Sequence, residues 1–137
     1  MTNEEIAKIK VTHLAAARQK SLEFLFEYTK FHIGLYLTLT AAFIRAAEGK
    51  AFHFELRRTW FWIAVIAFMT AGLAGGVIAS NLTQTSALDS KAFLRERIGP
   101  WEWKPLHFEA RKWTWLEHTS FWCGLVCAVL SFLFAGP

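Results

Sequence analysis

Thr59 to Leu82 reads TWFWIAVIAFMTAGLAGGVIASNL, 24 residues without a charged side chain. At about 1.5 Å per residue, a helix of that length reaches roughly 36 Å, enough for a hydrocarbon core of about 30 Å with some tilt. Apolar residues fall on every face, which a helix lying on a soluble core rarely shows over such a length. The stretch therefore predicts a transmembrane helix. The rest of the chain is read as what flanks that helix and what packs on it.

Composition agrees. Of 137 residues, 54% are hydrophobic, including 13 Phe and 7 Trp. That is one domain's worth of chain with more apolar surface than a single soluble core of this size hides. The net charge of +4 does not point to nucleic acid. The Lys and Arg residues sit beside the apolar runs and are mixed with acids, as they are at the ends of membrane spans, and no basic, aromatic-interleaved motif occurs. The opening MTNEEIAK is acidic and carries no apolar h-region, so no signal peptide is expected. Cys123 and Cys127 lie four apart in an apolar run and read as small buried hydrophobes rather than a CxxC site. No nucleophile elbow, Walker, HExxH or Rossmann pattern is present, so no catalytic residue is expected and a non-enzymatic role is favoured.

Upstream of the central stretch, Thr2-Asn3-Glu4-Glu5 has the form of a capping box. Residues 1–30 predict an amphipathic helix outside the hydrocarbon, either flat on the membrane or running into the first span as a stalk. No Gly or Pro breaks the chain between Thr2 and Ile33. The first span is expected over Leu25–Ala47. Its uncharged heart, Phe31–Ile44, is short, but Lys30 and Arg45 can snorkel. Glu48-Gly49-Lys50 reads as a stop with Gly49 as the cap, so spans one and two form an antiparallel hairpin.

Downstream, Asn81–Pro100 is polar with a helix-prone second half, and Gly99-Pro100 punctuates it. Trp101–His118 mixes four Trp with Lys104, Arg111, Lys112, Glu102 and Glu109, the chemistry of a membrane–water interface. Residues 83–112 thus form the second connection, and residues 113–135 the third span. The expected fold is all-α and integral to the membrane: one domain of three transmembrane helices (25–47, 59–82, 113–135) plus the N-terminal amphipathic helix. Eleven basic residues fall in residues 1–30 and 83–112, against four (Arg45, Lys50, Arg57, Arg58) on the opposite side. The positive-inside rule then places the chain in the cell (inner) membrane, N-terminus cytoplasmic and C-terminus outside.

Lipid gives helices no hydrophobic drive to associate, so small residues that let backbones approach decide packing. Span two carries Ala67, Ala71, Gly75 and Ala79 on one ridge and Gly72, Gly76 and Ser80 on the next. Gly34 in span one and Gly124 in span three supply further seams. These predict a tight three-helix bundle, with the second ridge of span two meeting another copy or a larger membrane complex.

Ionisable groups at membrane depth are functional candidates by default. His32 and Arg45 bracket span one; Glu117 and His118 open span three. His32 and His118 fall near the same boundary. Two histidines from neighbouring helices are the minimum for a bis-His haem or a metal, and the alternative is a pair of hydrogen-bonded interfacial side chains. No cofactor is predicted; haem is the alternative. Glu117 is expected to pair with Lys30 or Lys112. Thr38, Arg45, Thr70, Ser80 and Asn81 are candidates to line an oligomeric ion-conducting pore, against the competing reading in which the hydroxyls bond back to their own helices and Arg45 snorkels outward.

Phe31-His32 with Tyr36 four residues on, followed by Trp60-Phe61-Trp62, resembles the bacterial two-transmembrane (2TM) hairpin domain, which pairs an F-x-x-H-like start and a Tyr in its first span with W-F-x-W at the start of its second. Here the histidine directly follows Phe31. The resemblance covers residues 30–78. It implies a membrane hairpin module and carries over no catalytic residues.

Overall fold

The computed structural model describes residues 2–48, 58–100 and 104–134. Gly49, Lys50, His53, Arg57, Trp101, Trp103 and Ala135, on which parts of the sequence reading fall, lie outside the described residues.

Residues 3–48 form one helix, α1 (Asn3–Glu48). Its start is the capping box: the Thr2 N–H donates to Glu5 Oε2 at 2.7 Å, and the Glu5 N–H donates to Thr2 Oγ1 at 3.3 Å. The exposed N-terminal half continues without a break into the apolar run. At about 1.5 Å per residue the whole element is roughly 69 Å long. The uncharged stretch forms α2 (Arg58–Leu82), and the last long helix is α4 (Ala110–Leu133). Both α2 and α4 are long and apolar enough to cross a membrane. Residues 25–47, where the first span is expected, form the C-terminal half of α1, which is not among the helices that reach this length and apolarity.

α2 is the centre of the bundle, packed along both α1 and α4. Side-chain contacts give the directions. Phe43 stacks on Phe61 at 5.0 Å between ring centroids, while Ile33 lies against Gly75, so α1 and α2 are antiparallel. Phe68 meets Gly124 and Gly75 meets Glu117, so α2 and α4 are antiparallel too. One apolar core gathers Phe43, Phe61, Ala64, Val65, Phe68 and Cys127. The outward faces of α2 and α4 remain apolar, with Trp62, Ile66, Leu73, Trp115, Trp122 and Leu133 all exposed.

The chain is mostly helical, in line with the all-α expectation, and the second connection adds short elements of its own. It holds a four-residue helix, α3 (Ser90–Phe93), capped by Asp89, whose Oδ1 accepts from the Ala92 N–H at 2.8 Å. A two-stranded antiparallel ribbon follows: β1 (Arg97–Ile98) pairs with β2 (Phe108–Glu109), Arg97 opposite Glu109 and Ile98 opposite Phe108. A 3-10 turn, Lys104–Leu106, precedes β2. The ribbon exists because Gly99 lets the chain fold back tightly. A Cβ there would lie 2.9 Å from the Leu106 carbonyl oxygen, with the His107 ring closer still. Phe93 and Ile98 are buried, and they build a second core with Ile78, Leu82 and Ala110 onto which Leu22, Leu25 and Phe26 of α1 pack. The connection is therefore a packed cap on one end of the bundle. Ser21 and Arg18 tie it to α1: the Ser90 N–H donates to Ser21 Oγ at 3.2 Å, and Arg18 Nε lies 3.9 Å from Asp89 Oδ2.

Candidate functional site

Tyr28, His32 and Tyr36 recur every fourth residue and so share one face of α1. Glu117 and His118 lie in the first half of α4. While both helices pack along α2, they meet each other through side chains, these among them. The Tyr36 hydroxyl donates to Glu117 Oε1 at 2.9 Å, with the two residues 1% and 2% exposed. A carboxyl group withdrawn this far from water needs such a donor, because an unpaired buried ionisable group costs several kcal/mol. Gly75 of α2 makes the room for it: a Cβ at this position would sit 3.6 Å from Glu117 Oε1 and 3.0 Å from Ile33 Cγ1.

The two histidines stand beside this buried pair. His32 Nδ1 donates to the Tyr28 carbonyl oxygen at 2.8 Å, and His118 Nδ1 donates to the Thr114 carbonyl oxygen at 2.9 Å. A carbonyl oxygen only accepts, so each Nδ1 carries its hydrogen and the neutral ring leaves a lone pair on Nε2. The Tyr28 hydroxyl lies 3.4 Å from His118 Nε2, and its ring sits 3.9 Å from that of His32. The two imidazole centroids are 6.4 Å apart, their planes inclined by 30°. His118 Nδ1 is also 4.0 Å from Glu117 Oε2. Chemically, the cluster offers two imidazole lone pairs, a phenol between them and a buried carboxyl group behind.

Glu117 does not take either of the lysines expected for it. Lys30 pairs with Glu27 at 3.2 Å, and Lys112 lies over the Phe108 ring at 6.0 Å. Each lysine is closer to a neighbour on its own stretch of chain, whereas Glu117 points between α1 and α2. The partner it finds, Tyr36, was not singled out as a site residue. Its signals in the sequence are its position four residues after His32 and its place in the 2TM resemblance.

The other polar candidates are dispersed. Thr38 donates to the Gly34 carbonyl oxygen and Thr70 to that of Ile66, both at 2.8 Å. Ser80 donates to the Val77 carbonyl oxygen at 3.0 Å; Asn81 reaches the same carbonyl at 2.8 Å and that of Gly99 at 3.2 Å. Arg45 is exposed near the end of α1. Thr70, Ser80 and Asn81 line an open cleft of about 990 Å³ beside Gly72, Gly76, Pro100 and Trp113, a cleft whose lining does not include Thr38 or Arg45.

The small residues divide in the same way. Ala71 is fully buried, Gly75 faces Ile33 and Glu117, and a Cβ at Gly124 would lie 2.8 Å from the Phe68 ring. Among the described residues, nothing lies within 4 Å of a Cβ built at Gly34, Gly72 or Gly76. Among the described residues, no group of three or more His, Cys, Asp or Glu side chains is arranged to hold a metal ion. Comparison with known proteins finds no match to a family model, to a curated protein or to a solved structure.

Proposed function

We propose that this chain is an integral membrane protein with three spans, the second half of α1, α2 and α4, and that it works as a small non-enzymatic subunit that self-associates through the outer face of α2. α1 and α2 then form a membrane hairpin of the kind the 2TM resemblance implies. The distribution of Lys and Arg puts the N-terminus and the capped end of the bundle in the cytoplasm. Large apolar side chains exposed along α2 and α4 support a lipid-facing bundle, since a water-soluble monomer rarely shows so continuous an apolar surface.

One observation carries the assembly reading. Gly72 and Gly76 are spaced as GxxxG on a helix whose inward-facing glycine, Gly75, is already used; they line an open cleft and, among the described residues, nothing lies within 4 Å of a Cβ on either. Outward glycines in a span give up side-chain packing, which a close approach by another backbone restores. Native mass spectrometry of the full chain in mild detergent tests this. The wild type is expected as a defined oligomer, and Gly72→Leu with Gly76→Leu as a monomer. A wild type that is monomeric throughout, or a double variant that assembles unchanged, refutes it. Steady conductance in planar bilayers distinguishes a pore lined by Thr38 and Arg45 from a scaffold.

A further inference from the structure

We propose that the N-terminal arm of α1 docks on the arm of a second copy of this chain running antiparallel to it, so that two facing membranes are joined. The pairing of the arms stands apart from contact through α2; the joining of membranes rests on the spanning reading above. The observation is a stripe that outlasts what it packs on. Phe43, Tyr36, Ile33, Leu25 and Leu22 lie at helical spacing on the face that α1 turns to α2, α4 and the cap. The same spacing carries on through Arg18, Ala15, Val11, Ala7 and Glu4. There the bundle no longer covers it: every residue from Glu4 to Lys20 is exposed, Val11 at 66% and the flanking Leu14 at 48%. At the foot of the arm the stripe meets the exposed Leu88 of the cap, in an open groove of about 620 Å³ that takes in Val11, Leu14, Ala15 and Leu22.

Charge selects the occupant. Arg18 stands at the foot of the stripe and Glu4 near its tip. Arg18 has Asp89 at 3.9 Å with half of its own side chain exposed, and Lys91 is exposed on the same cap. Glu4 has no ion pair among the described residues. A helix that fits this face must present an acid at the foot, a base at the tip, and small or apolar residues between. The arm of a second copy, turned end for end, does so. With Val11 opposite Val11, Ala7 faces Ala15 and Glu4 faces Arg18, each twice by symmetry. The overlap from Glu4 to Arg18 is about 21 Å long. It stops short of Ser21 and Leu22, where the cap packs, so the cap stays in place. Parallel arms would set Glu4 against Glu4 and Arg18 against Arg18, and like charges oppose that. Because α1 is unbroken, two copies in one membrane hold their arms parallel, so antiparallel arms belong to copies in facing membranes.

Disulfide trapping of the full chain in mild detergent, with Cys123 and Cys127 changed to Ala, reads the pairing. Val11→Cys should cross-link to itself, and a mixture of Ala7→Cys and Ala15→Cys chains should form the mixed dimer in preference to either self-dimer. Arg18→Glu should slow trapping at Val11→Cys by roughly tenfold, because each Glu4 then faces an acid, and adding Glu4→Arg should restore it. In phosphatidylcholine vesicles, which carry no net charge for Lys and Arg to bridge, the wild type should cluster the vesicles, seen by light scattering, with the same loss and recovery. No cross-link at Val11→Cys, a preference for the Ala7→Cys self-dimer, or a loss that the double reversal does not restore overturns the arm pairing. Trapping in detergent without clustering of vesicles that carry the protein overturns the joining of membranes. A chain that does not float with the lipid refutes the spanning reading and with it the joining of membranes, and trapping in detergent then decides the arm pairing alone.

Discussion

Alanine at two glycines of this bundle should have opposite effects. At Gly72 a Cβ meets nothing within 4 Å, so Gly72→Ala adds no strain. It gains the helix propensity that glycine lacks, about 1 kcal/mol. At Gly124 the same Cβ lies 2.8 Å from Phe68 Cδ1 and Cε1 and 3.3 Å from Ala67 Cβ. Carbon atoms pack best at about 3.5–4.0 Å, so α2 and α4 must separate by close to 1 Å or Phe68 must turn. Phe68 is 2% exposed and braced by Phe121, with centroids 6.2 Å apart, so it has little room to turn. Overpacking of this kind costs about 1–3 kcal/mol. Net of the propensity gain, Gly124→Ala should destabilise by up to about 2 kcal/mol, leaving a gap between the two variants of about 1–3 kcal/mol. Reversible unfolding in mixed SDS micelles, followed by circular dichroism at dilute protein, measures both. Two variants shifting by the same amount in the same direction would refute the packing argument.

Tyr36→Phe leaves the buried Glu117 carboxyl without its donor and should cost about 1–3 kcal/mol in the same assay. Glu117→Gln, whose amide oxygen still accepts from Tyr36, should cost less, and the reverse order would show that the bond matters little. Gly99→Ala drives a Cβ against the Leu106 carbonyl and the His107 ring, so amide exchange in the ribbon should speed up while that of α2 and α4 stays slow. Uniform exchange behaviour would mean that the ribbon is not held by that close approach. Asp89→Ala removes the cap of α3, a change of about 1 kcal/mol, and should accelerate tryptic cleavage at Lys91 and Arg95; an unchanged cleavage rate would count against the cap.

What the sequence made legible was what depends on neighbours along the chain. The capping box at Thr2 and Glu5 involves residues three apart, and it forms with both of its bonds. The uncharged run from Thr59 sets a helix beginning at Arg58 and ending at Leu82, because length and composition alone specify it. The ribbon is different. Two strands of two residues each have no periodicity to read, and Phe93 and Ile98 look like ordinary members of a polar connection until Leu22, Leu25 and Phe26 of α1 arrive to bury them. The partner of Glu117 was hidden for a related reason. It depends on how far α1 and α4 slide along α2, and no local pattern states that register. The division of the glycines into Gly75 and Gly124 facing inward, and Gly34, Gly72 and Gly76 facing outward, likewise follows from helix rotation, which spacing by four leaves open.

The continuity of α1 has a mechanical consequence. From Ile33 to Phe43 the helix is seated along α2, and at Leu22, Leu25 and Phe26 the cap of the bundle grips it; beyond Arg18 its N-terminal arm is exposed. With no break between the seated part and the arm, the arm has no angle of its own. Sixteen residues from Leu22 to Ile6 make an outrigger of about 24 Å, so each degree of tilt in the seated helix displaces Ile6 by roughly 0.4 Å. Small adjustments among the three packed helices are thus magnified at the free tip, which makes the first turns of the chain the place where a spectroscopic label would register them most strongly.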